Sequence, residues 1–306
     1  MRIVLLLPAM MVAALGSTAA RAGNFERQVP ADPHGLVEIS NVAGKIEVSG
    51  WDQNEVSVRA DFSGGVDHVD VTGDHGRTTI RVQFGHHFSW FDSGGADLRI
   101  QIPRGSELNV TAVSADVTTS NIDGVQRLQS VSGQIKADLA QSDVEVKTVS
   151  GDVNLHGRRH DNRRSGEPPA RLRVTTISGS LRLEHGSRDL EATSVSGDLN
   201  VRLDLAREVR VRTTSGDFHF EGKLTRDANF EAQSVSGGLH VRAPAEAGYE
   251  YEVNSFSGDI SDCFGAEPER TSKYAPGHRL DGTRADGSAH VWLKTMSGEV
   301  DLCDKP

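Results

Sequence analysis

The sequence is poor in the residues that would indicate several common classes of protein. It contains two cysteines in 306 residues, and aromatic residues make up 5% of it. Two cysteines cannot form the dense disulfide framework of a small secreted scaffold, and a chain of this length can bury a core without one. No stretch keeps a helical apolar period for more than about two turns, so the fold is predicted to be all-β.

Positive charge is scarce as well. The chain has 33 lysines and arginines against 43 aspartates and glutamates, and its formal net charge is −10. An acidic surface argues against nucleic acid and anionic lipid as partners. The expected partner is instead an envelope or surface ligand, protein or glycan, whose identity the sequence leaves unknown.

The first residues differ from the rest of the chain. Arg2 precedes an apolar run from Ile3 to Leu15, and small residues flank Arg21. This pattern predicts a secretory signal peptide over residues 1–22, with cleavage before Gly23. Its loss would take the formal charge from −10 to −12, because Arg2 and Arg21 leave with it. We therefore expect an exported protein, periplasmic or at the cell surface, without a transmembrane anchor.

What the sequence has in abundance is one repeated step, serine followed by glycine. Two positions before each serine stands a hydroxyl residue, four positions before it an apolar residue, and three positions after it another apolar residue. The glycines of these steps are Gly133, Gly151, Gly179, Gly197, Gly216, Gly237, Gly258 and Gly298. Identical chemistry at one phase, recurring about every twenty residues, indicates stacked copies of one supersecondary unit.

The alternation of apolar residues identifies that unit as two short strands joined by a corner. Val209 and Val211 fall on even offsets before the step, and Phe218 and Phe220 fall on odd offsets after it. The alternation slips by one residue, so both strands can point their apolar side inward. Glycine is expected at the corner either for a positive φ or for a close approach of backbones. The recurring hydroxyls are expected to bond to one another or to the corner backbone.

These features predict a parallel β-solenoid, similar to a β-helix, of about ten coils of roughly 18–21 residues. Residues 23–112 are predicted to form a less regular N-terminal β region with a degenerate coil and an aromatic loop, and residues 113–306 the regular repeats. Degenerate copies are expected at the ends of a solenoid. Within one repeat, Val195, Leu199 and Val201 are predicted to be core and Arg202 to face solvent.

The repeated V-S-G-D-V and V-S-G-D-L units, the segment Lys45 to Val58 and the segment Ala289 to Val300 resemble a bacterial family of unknown function. Its members are labelled putative adhesins or β-strand-repeat proteins. The resemblance implies an exported or envelope-facing β-solenoid without an established activity, and it supplies no catalytic residues. It also raises the possibility of an envelope-stress accessory protein.

The two cysteines, Cys263 and Cys303, are predicted to form a disulfide. Each lies six residues after a repeat serine, Ser257 or Ser297, so they occupy the same phase of two copies. If those copies stack directly, the Cα atoms are about one strand spacing apart, which a disulfide can bridge. The bond would then hold the last coil, which is expected to have no neighbour beyond it.

Acidic residues follow many of the serine–glycine steps, as at Asp152, Asp198 and Asp217. A stack of carboxylates could hold calcium, but Ser180 and Gly238 interrupt the row. Aspartate beside glycine is also common in turns, because its side chain bonds to nearby backbone. No metal and no cofactor are predicted.

Two segments outside the repeat are candidates for binding. The first is an aromatic segment that could stack on a sugar or a partner protein, or instead cap the open end of the core. Its candidate residues are Phe84, His86, His87, Phe88, Trp90 and Phe91. The second is a basic insertion that could contact an acidic glycan or a partner's carboxylates, or be a tolerated loop. Its candidate residues are Arg158, Arg159, Arg163 and Arg164.

No catalytic residues are predicted. A polysaccharide lyase or hydrolase on a β-helix needs a carboxylate pair, or carboxylates with an Arg or Lys base, in one exposed groove. The sequence shows no such cluster outside the repeat pattern. The sequence therefore favours a non-catalytic adhesin or envelope scaffold, with a carbohydrate-active enzyme as the alternative; a groove of paired acidic and basic side chains would favour the enzyme.

Overall fold

The computed structural model describes residues 23–74, 76–85, 94–140, 142–157, 170–244, 248–271 and 276–304. These residues form strands, turns and bends without a helix, which confirms the all-β prediction, and among them no helix is present that could cross a membrane. The predicted signal peptide, 1–22, lies outside the described residues. The number of coils and the domain boundary at residue 112 stay predictions.

The strands hydrogen-bond into one sheet of 23 strands. In chain order they are β1 (Gly23–Pro30), β2 (Leu36–Trp51), β3 (Glu55–Phe62), β4 (Val66–Asp74), β5 (Arg77–Phe84), β6 (Ala96–Pro103), β7 (Glu107–Ser120), β8 (Gln126–Ser130), β9 (Ile135–Leu139), β10 (Val144–Thr148), β11 (Val153–Gly157), β12 (Arg171–Thr176), β13 (Leu181–Glu184), β14 (Asp189–Thr193), β15 (Leu199–Thr213), β16 (Phe218–Ser234), β17 (Leu239–Arg242), β18 (Tyr249–Ser255), β19 (Ile260–Asp262), β20 (Glu269–Arg270), β21 (His278–Arg284), β22 (Ala289–Thr295) and β23 (Val300–Cys303).

Successive copies of the repeat stack in parallel and in register. The strands before the corner form one row, in which β10 pairs with β8 and β12 and sets Val146 beside Leu128 and Val174. The strands after the corner form a second row, in which β11 pairs with β9 and β13. The long strands β15 and β16 each contain the end of one copy and the beginning of the next. The inward side chains of both rows form one continuous hydrophobic core.

Burial follows the predicted slip of the alternation, with one correction. Leu199 and Val201 are buried and Arg202 is exposed, as predicted. The prediction that Val195 belongs to the core is wrong, because its exposed fraction is 42%. Val195 directly follows Ser194, whose side chain is buried at the corner. Successive side chains of a strand point to opposite faces, so the side chain of Val195 points outward.

The corner glycines are required for close approach of neighbouring backbones. None of the eight described corner glycines has a positive φ. A Cβ on Gly151 would lie 2.0 Å from the carbonyl oxygen of Gly133, and one on Gly197 would lie 2.0 Å from that of Gly179. No side chain fits in that space, so every copy stacked in this way needs glycine at the corner.

The buried hydroxyl before each corner bonds to the corner backbone. The N–H of Gly151 donates to Thr148 Oγ1 at 3.0 Å, and the same bond recurs at all eight glycines. In the copy that contains Gly179, Thr176 Oγ1 also donates to the glycine carbonyl at 2.9 Å. Of the two predicted partners, these hydroxyls use the backbone, and each bond satisfies a buried polar group.

The order of the stack departs from the order of the chain at the C-terminal end. β22 lies between β16 and β18, and β23 lies between β17 and β19. After β17 the chain therefore builds the outer copy from β18 and β19 and then returns to fill the place between. The expectation that the last copy in the sequence ends the stack is wrong. That copy has a neighbour on each side, and β21 covers the outer strand β18 in antiparallel pairing.

The N-terminal end uses a similar arrangement. β2 lies between β7 on one side and the pair β5 and β6 on the other. The antiparallel strands β4 and β3 then pair with β5 and β6, and β1 pairs with β3. Antiparallel strands at both ends satisfy N–H and C=O groups that an open parallel edge would present to other chains.

Candidate functional site

The predicted disulfide is present. β19 pairs with β23 so that Asp262 lies opposite Leu302, which sets Cys263 opposite Cys303. Their Cα atoms are 5.0 Å apart and their sulfurs are bonded. Among the described residues, the one group that could hold a metal consists of these cysteines and Asp301. Both of its sulfurs are already used in the disulfide.

Most of the predicted binding residues lie outside the described residues. This holds for His86, His87, Phe88, Trp90 and Phe91 of the aromatic segment and for Arg158, Arg159, Arg163 and Arg164 of the basic insertion. Phe84 is described, and it lies half-buried at the end of β5, packed against the core. Whether the aromatic segment binds a partner or caps the open end of the core stays a prediction.

The acidic row joins neighbouring copies. Asp152 Oδ1 accepts a hydrogen bond from the N–H of Ser180 at 3.0 Å, and Asp217 Oδ1 accepts one from the N–H of Gly238 at 2.7 Å. Asp116 and Asp198 accept hydrogen bonds in the same way from the N–H groups of Gln134 and Asp217, each in the next copy. These four carboxylates therefore each satisfy a backbone donor of the next copy, which is a particular form of the turn interpretation.

A line of exposed apolar side chains runs along the corners. It occupies the position directly before the repeat serine, and its members are between 41% and 54% exposed. The members, which we call the apolar ridge, are Val131, Val149, Ile177, Val195, Val235, Met296 and Phe256. They are all of the exposed large hydrophobic side chains among the described residues. Every such side chain therefore lies on one line of the surface.

Backbone hydrogen bonds hold the ridge straight. The N–H of Ser178 donates to the carbonyl of Val149, and that of Ser196 to the carbonyl of Ile177, both at 2.8 Å. Each ridge residue thus lies about 4.8 Å from the next. In the stack the order is Val131, Val149, Ile177, Val195, Thr214, Val235, Met296 and Phe256. The inserted C-terminal copy places Met296 beside Phe256, so the two largest ridge side chains end the line together.

The sequence contains a signal for the ridge that the predictions above do not use. The residue before the repeat serine is Val, Ile, Met or Phe in seven of the eight copies and threonine in the other. The slip in the alternation places this position outside, since the hydroxyl residue before it points inward. The hydrophobic character of valine in the V-S-G-D motif suggests a buried side chain. The position of this valine directly after an inward hydroxyl residue instead makes its side chain point outward.

A groove of about 570 Å³ lies over the strands that precede the corner in neighbouring copies. Arginines and carboxylates line it in pairs, and Arg173 Nη2 is 2.7 Å from Glu191 Oε2. The hydrogen bond to Glu191 raises the pKa of Arg173, and a hydrogen bond from Lys147 lowers the pKa of Glu145. Both shifts favour the charged forms of Arg173 and Glu145, whereas a general acid needs a carboxyl group with a raised pKa.

Two histidines stack on the opposite row of strands. The rings of His219 on β16 and His240 on β17 are 4.6 Å apart between centroids and 21° from parallel. Partial burial, together with the neighbouring His240, lowers the pKa of His219. Asp217 and Asp198 oppose this effect more weakly. These effects favour the neutral imidazole form of His219.

The chain matches one family model, and its fold is distantly similar to solved structures. A family model described as Toastrack DUF4097 matches residues 36–303. No curated protein sequence matches the chain. A solved structure described as a "putative adhesin" from Parabacteroides merdae is 10% identical, with a TM-score of 0.48, and covers 94% of this chain and 97% of that one. A "putative lipid binding protein" from Parabacteroides distasonis is 14% identical, with a TM-score of 0.38 and coverage of 94% and 98%.

Proposed function

We propose that this chain, which belongs to the Toastrack DUF4097 family, is an exported, non-catalytic binding or scaffold protein of the cell envelope that assembles through its apolar ridge. The family has no established function, so the ridge is the observation that carries the proposal. Contiguous exposed apolar surface on a soluble domain usually marks an interaction site. Here it forms one line, interrupted once by Thr214, whose backbone is fixed by hydrogen bonds between neighbouring copies before any partner binds.

The rest of the described surface contrasts with the ridge. The outward faces of the strands carry ion pairs such as Arg173 with Glu191 and Arg202 with Glu221. Such faces stay hydrated and gain little from association. The ridge gains from the removal of apolar area from water, and the rigid stack spends little conformational entropy on binding. The ridge is therefore the part of the described surface best suited to a partner.

Two features support export. The predicted signal peptide over residues 1–22 would direct the chain out of the cytoplasm. The Cys263–Cys303 disulfide suits an oxidising compartment such as the periplasm or the cell surface. We place the mature protein at the envelope, where a partner protein or glycan would meet the ridge.

Retention on isolated cell envelopes tests the proposal. The ridge variant carries Val149→Ser, Ile177→Ser and Val195→Ser, three neighbouring exposed positions. The matched control carries Gln53→Ser, Asn54→Ser and Asn200→Ser, three exposed polar positions away from the ridge and its flanking residues. We expect the wild type and the control to sediment with envelopes and the ridge variant to stay largely in the supernatant. Equal sedimentation of all three proteins would contradict the proposal.

A carbohydrate-active enzyme remains the second candidate because of the groove that contains Arg173 and Glu191. Its acidic and basic side chains are paired, and a groove of such pairs favours this alternative. The directions of the pKa shifts favour permanent charge over proton transfer, however. Release of reducing ends or of unsaturated sugars from a polysaccharide panel, abolished by Glu191→Gln, would favour the enzyme over the scaffold.

A further inference from the structure

The apolar ridge is flanked by two rows of exposed or half-buried residues whose charges correspond copy by copy. The leading row lies two residues before each ridge residue, on the strand that enters the corner. The trailing row lies three residues after it, where the next strand begins. Three copies carry a base in the leading row, and each of them carries an acid in the trailing row. These pairs are Lys147 with Asp152, Arg212 with Asp217, and Lys294 with Glu299, and all six side chains are exposed.

The remaining copies have no base in the leading row. Gln129, Thr175 and Gln233 are neutral in the leading row, and their trailing residues, Gln134, Ser180 and Gly238, are neutral as well. Thr193 and Asn254 are neutral, with acids in the trailing row. No base in the leading row lacks an acid in the trailing row of its own copy, although the ridge separates the two rows.

We propose that the ridge is an interface with a second copy of this chain, joined edge to edge with the copies of the repeat in parallel register. The inference rests on the proposed function and names the partner of the same surface. A two-fold axis parallel to the stack brings each ridge residue against its own counterpart. The leading row of one chain then adjoins the trailing row of the other. Lys147 meets Asp152 of the second chain, and the other two pairs meet likewise, each of them twice.

The opposite orientation is disfavoured by charge. A two-fold axis perpendicular to the stack reverses the order of the copies and sets leading row against leading row. When the two ridges are aligned over their full length from Val131 to Phe256, this arrangement places Lys147 of one chain against Lys294 of the other. It also places Asp152 against Glu299. Like charges across an interface are unfavourable, whereas complementary rows fix register. The charge pattern thus selects the parallel arrangement.

The size of the ridge explains why its flanks matter. Seven steps of about 4.8 Å make it roughly 34 Å long. A stable interface buries about 800 Å² on each partner, which requires a strip roughly 24 Å wide over that length. One line of side chains is narrower than this. The interface must include both flanking rows, so their charges decide which chains associate and in which orientation.

Sedimentation of the purified chain beginning at Gly23 tests whether the second copy binds. We expect a dimer, and we expect Lys147→Glu with Arg212→Glu and Lys294→Glu to raise its dissociation constant roughly tenfold or more. The control carries Lys136→Glu, Arg182→Glu and Arg242→Glu, which make the same change in net charge at exposed positions away from the ridge. This control should dimerise like the wild type. If both triple variants weaken the dimer equally, the flanking rows do not form the interface.

Disulfide trapping tests the register. Val149→Cys and Phe256→Cys each place a thiol on the ridge, and the native cysteines are already paired. In parallel register each variant should form a covalent dimer with itself, and Asn200→Cys should not. Cross-linking of Val149→Cys only when it is mixed with Met296→Cys would overturn the parallel register. A wild type that stays monomeric while envelope retention still depends on the ridge would overturn this inference and leave the proposed function standing.

Discussion

Gly258 lies directly against Gly298, although forty residues separate them along the chain. A Cβ on Gly258 would be 2.0 Å from the carbonyl oxygen of Gly298, and one on Gly298 would be 2.0 Å from that of Gly237. The copy that contains Gly298 therefore lies between two copies that precede it in the sequence. This order closes the C-terminal end of the stack and brings Met296 and Phe256 together on the ridge.

The corner glycines should be intolerant of any side chain. We expect Gly197→Ala to lower the free energy of unfolding by about 3 kcal/mol or more, because the added carbon would meet the carbonyl oxygen of Gly179 at 2.0 Å. Gly76→Ala is the control, since nothing lies within 4 Å of the added carbon and φ is not positive. It should change stability by less than about 0.5 kcal/mol. Urea unfolding measures both, and similar losses would contradict the stacking.

The buried hydroxyls should contribute through the corner backbone. Thr176→Val removes the group that accepts from the N–H of Gly179 and donates to its carbonyl. We expect a loss of about 1–3 kcal/mol, because two buried backbone groups lose a partner. Thr214→Val changes an exposed threonine on the line of the ridge and should cost less than about 0.5 kcal/mol. A neutral effect of Thr176→Val in thermal melts would refute this role.

Core and ridge positions of one copy should differ sharply in their tolerance of charge. Leu199→Asp buries an unpaired carboxylate and should cost several kcal/mol. Val195→Asp and Arg202→Asp change exposed positions and should each cost about 1 kcal/mol or less, although the second also removes an exposed ion pair with Glu221. Comparison of urea midpoints tests the assignment. A large loss from Val195→Asp would restore the sequence prediction that this valine is core.

Stability should fall on acidification in part because of His219. Its pKa is lowered in the folded chain by partial burial and by His240, so the unfolded chain takes up the proton more readily. Stability contributed by neutral His219 is therefore lost as pH falls through the ordinary histidine range towards the folded pKa. Asp217, Asp198 and Arg242 also contribute electrostatically to the pKa of His219, more weakly than burial and His240 do. Between pH 7.5 and 5.5 the free energy of unfolding of His219→Gln should fall less than that of the wild type. If the two free energies fall in parallel with pH, the prediction is contradicted.

The disulfide should hold the outermost copy to the inserted one. The loop that it closes has a sequence separation of 40, for which the chain-entropy model gives about 4 kcal/mol. Cys263→Ser with Cys303→Ser should lower the denaturant midpoint accordingly. Intact mass after alkylation without reductant should show no modified cysteine in the exported wild type. Two alkylated cysteines would show that the pair is reduced in its compartment.

Much of one copy of the repeat could be predicted from the sequence, because its chemistry recurs at fixed phase. The corner glycines, the buried hydroxyls and the pairing of Cys263 with Cys303 all follow from that phase. The order of the stack could not be predicted, since every copy carries the same motif and the motif does not specify its neighbour. The prediction that Val195 is core is wrong because a hydrophobic residue need not be buried, and such residues also form interaction surfaces.

The reactivity of a thiol placed on the ridge tests the central claim most directly. Val195→Cys introduces one on the ridge, and Asn200→Cys introduces one at an exposed position of the same copy, off the ridge. The rate of alkylation of each is measured in the dilute purified protein and again on isolated envelopes. If the ridge is the assembling surface, alkylation at position 195 slows several-fold on envelopes while that at position 200 does not change. Equal rates at position 195 in both states would contradict the account.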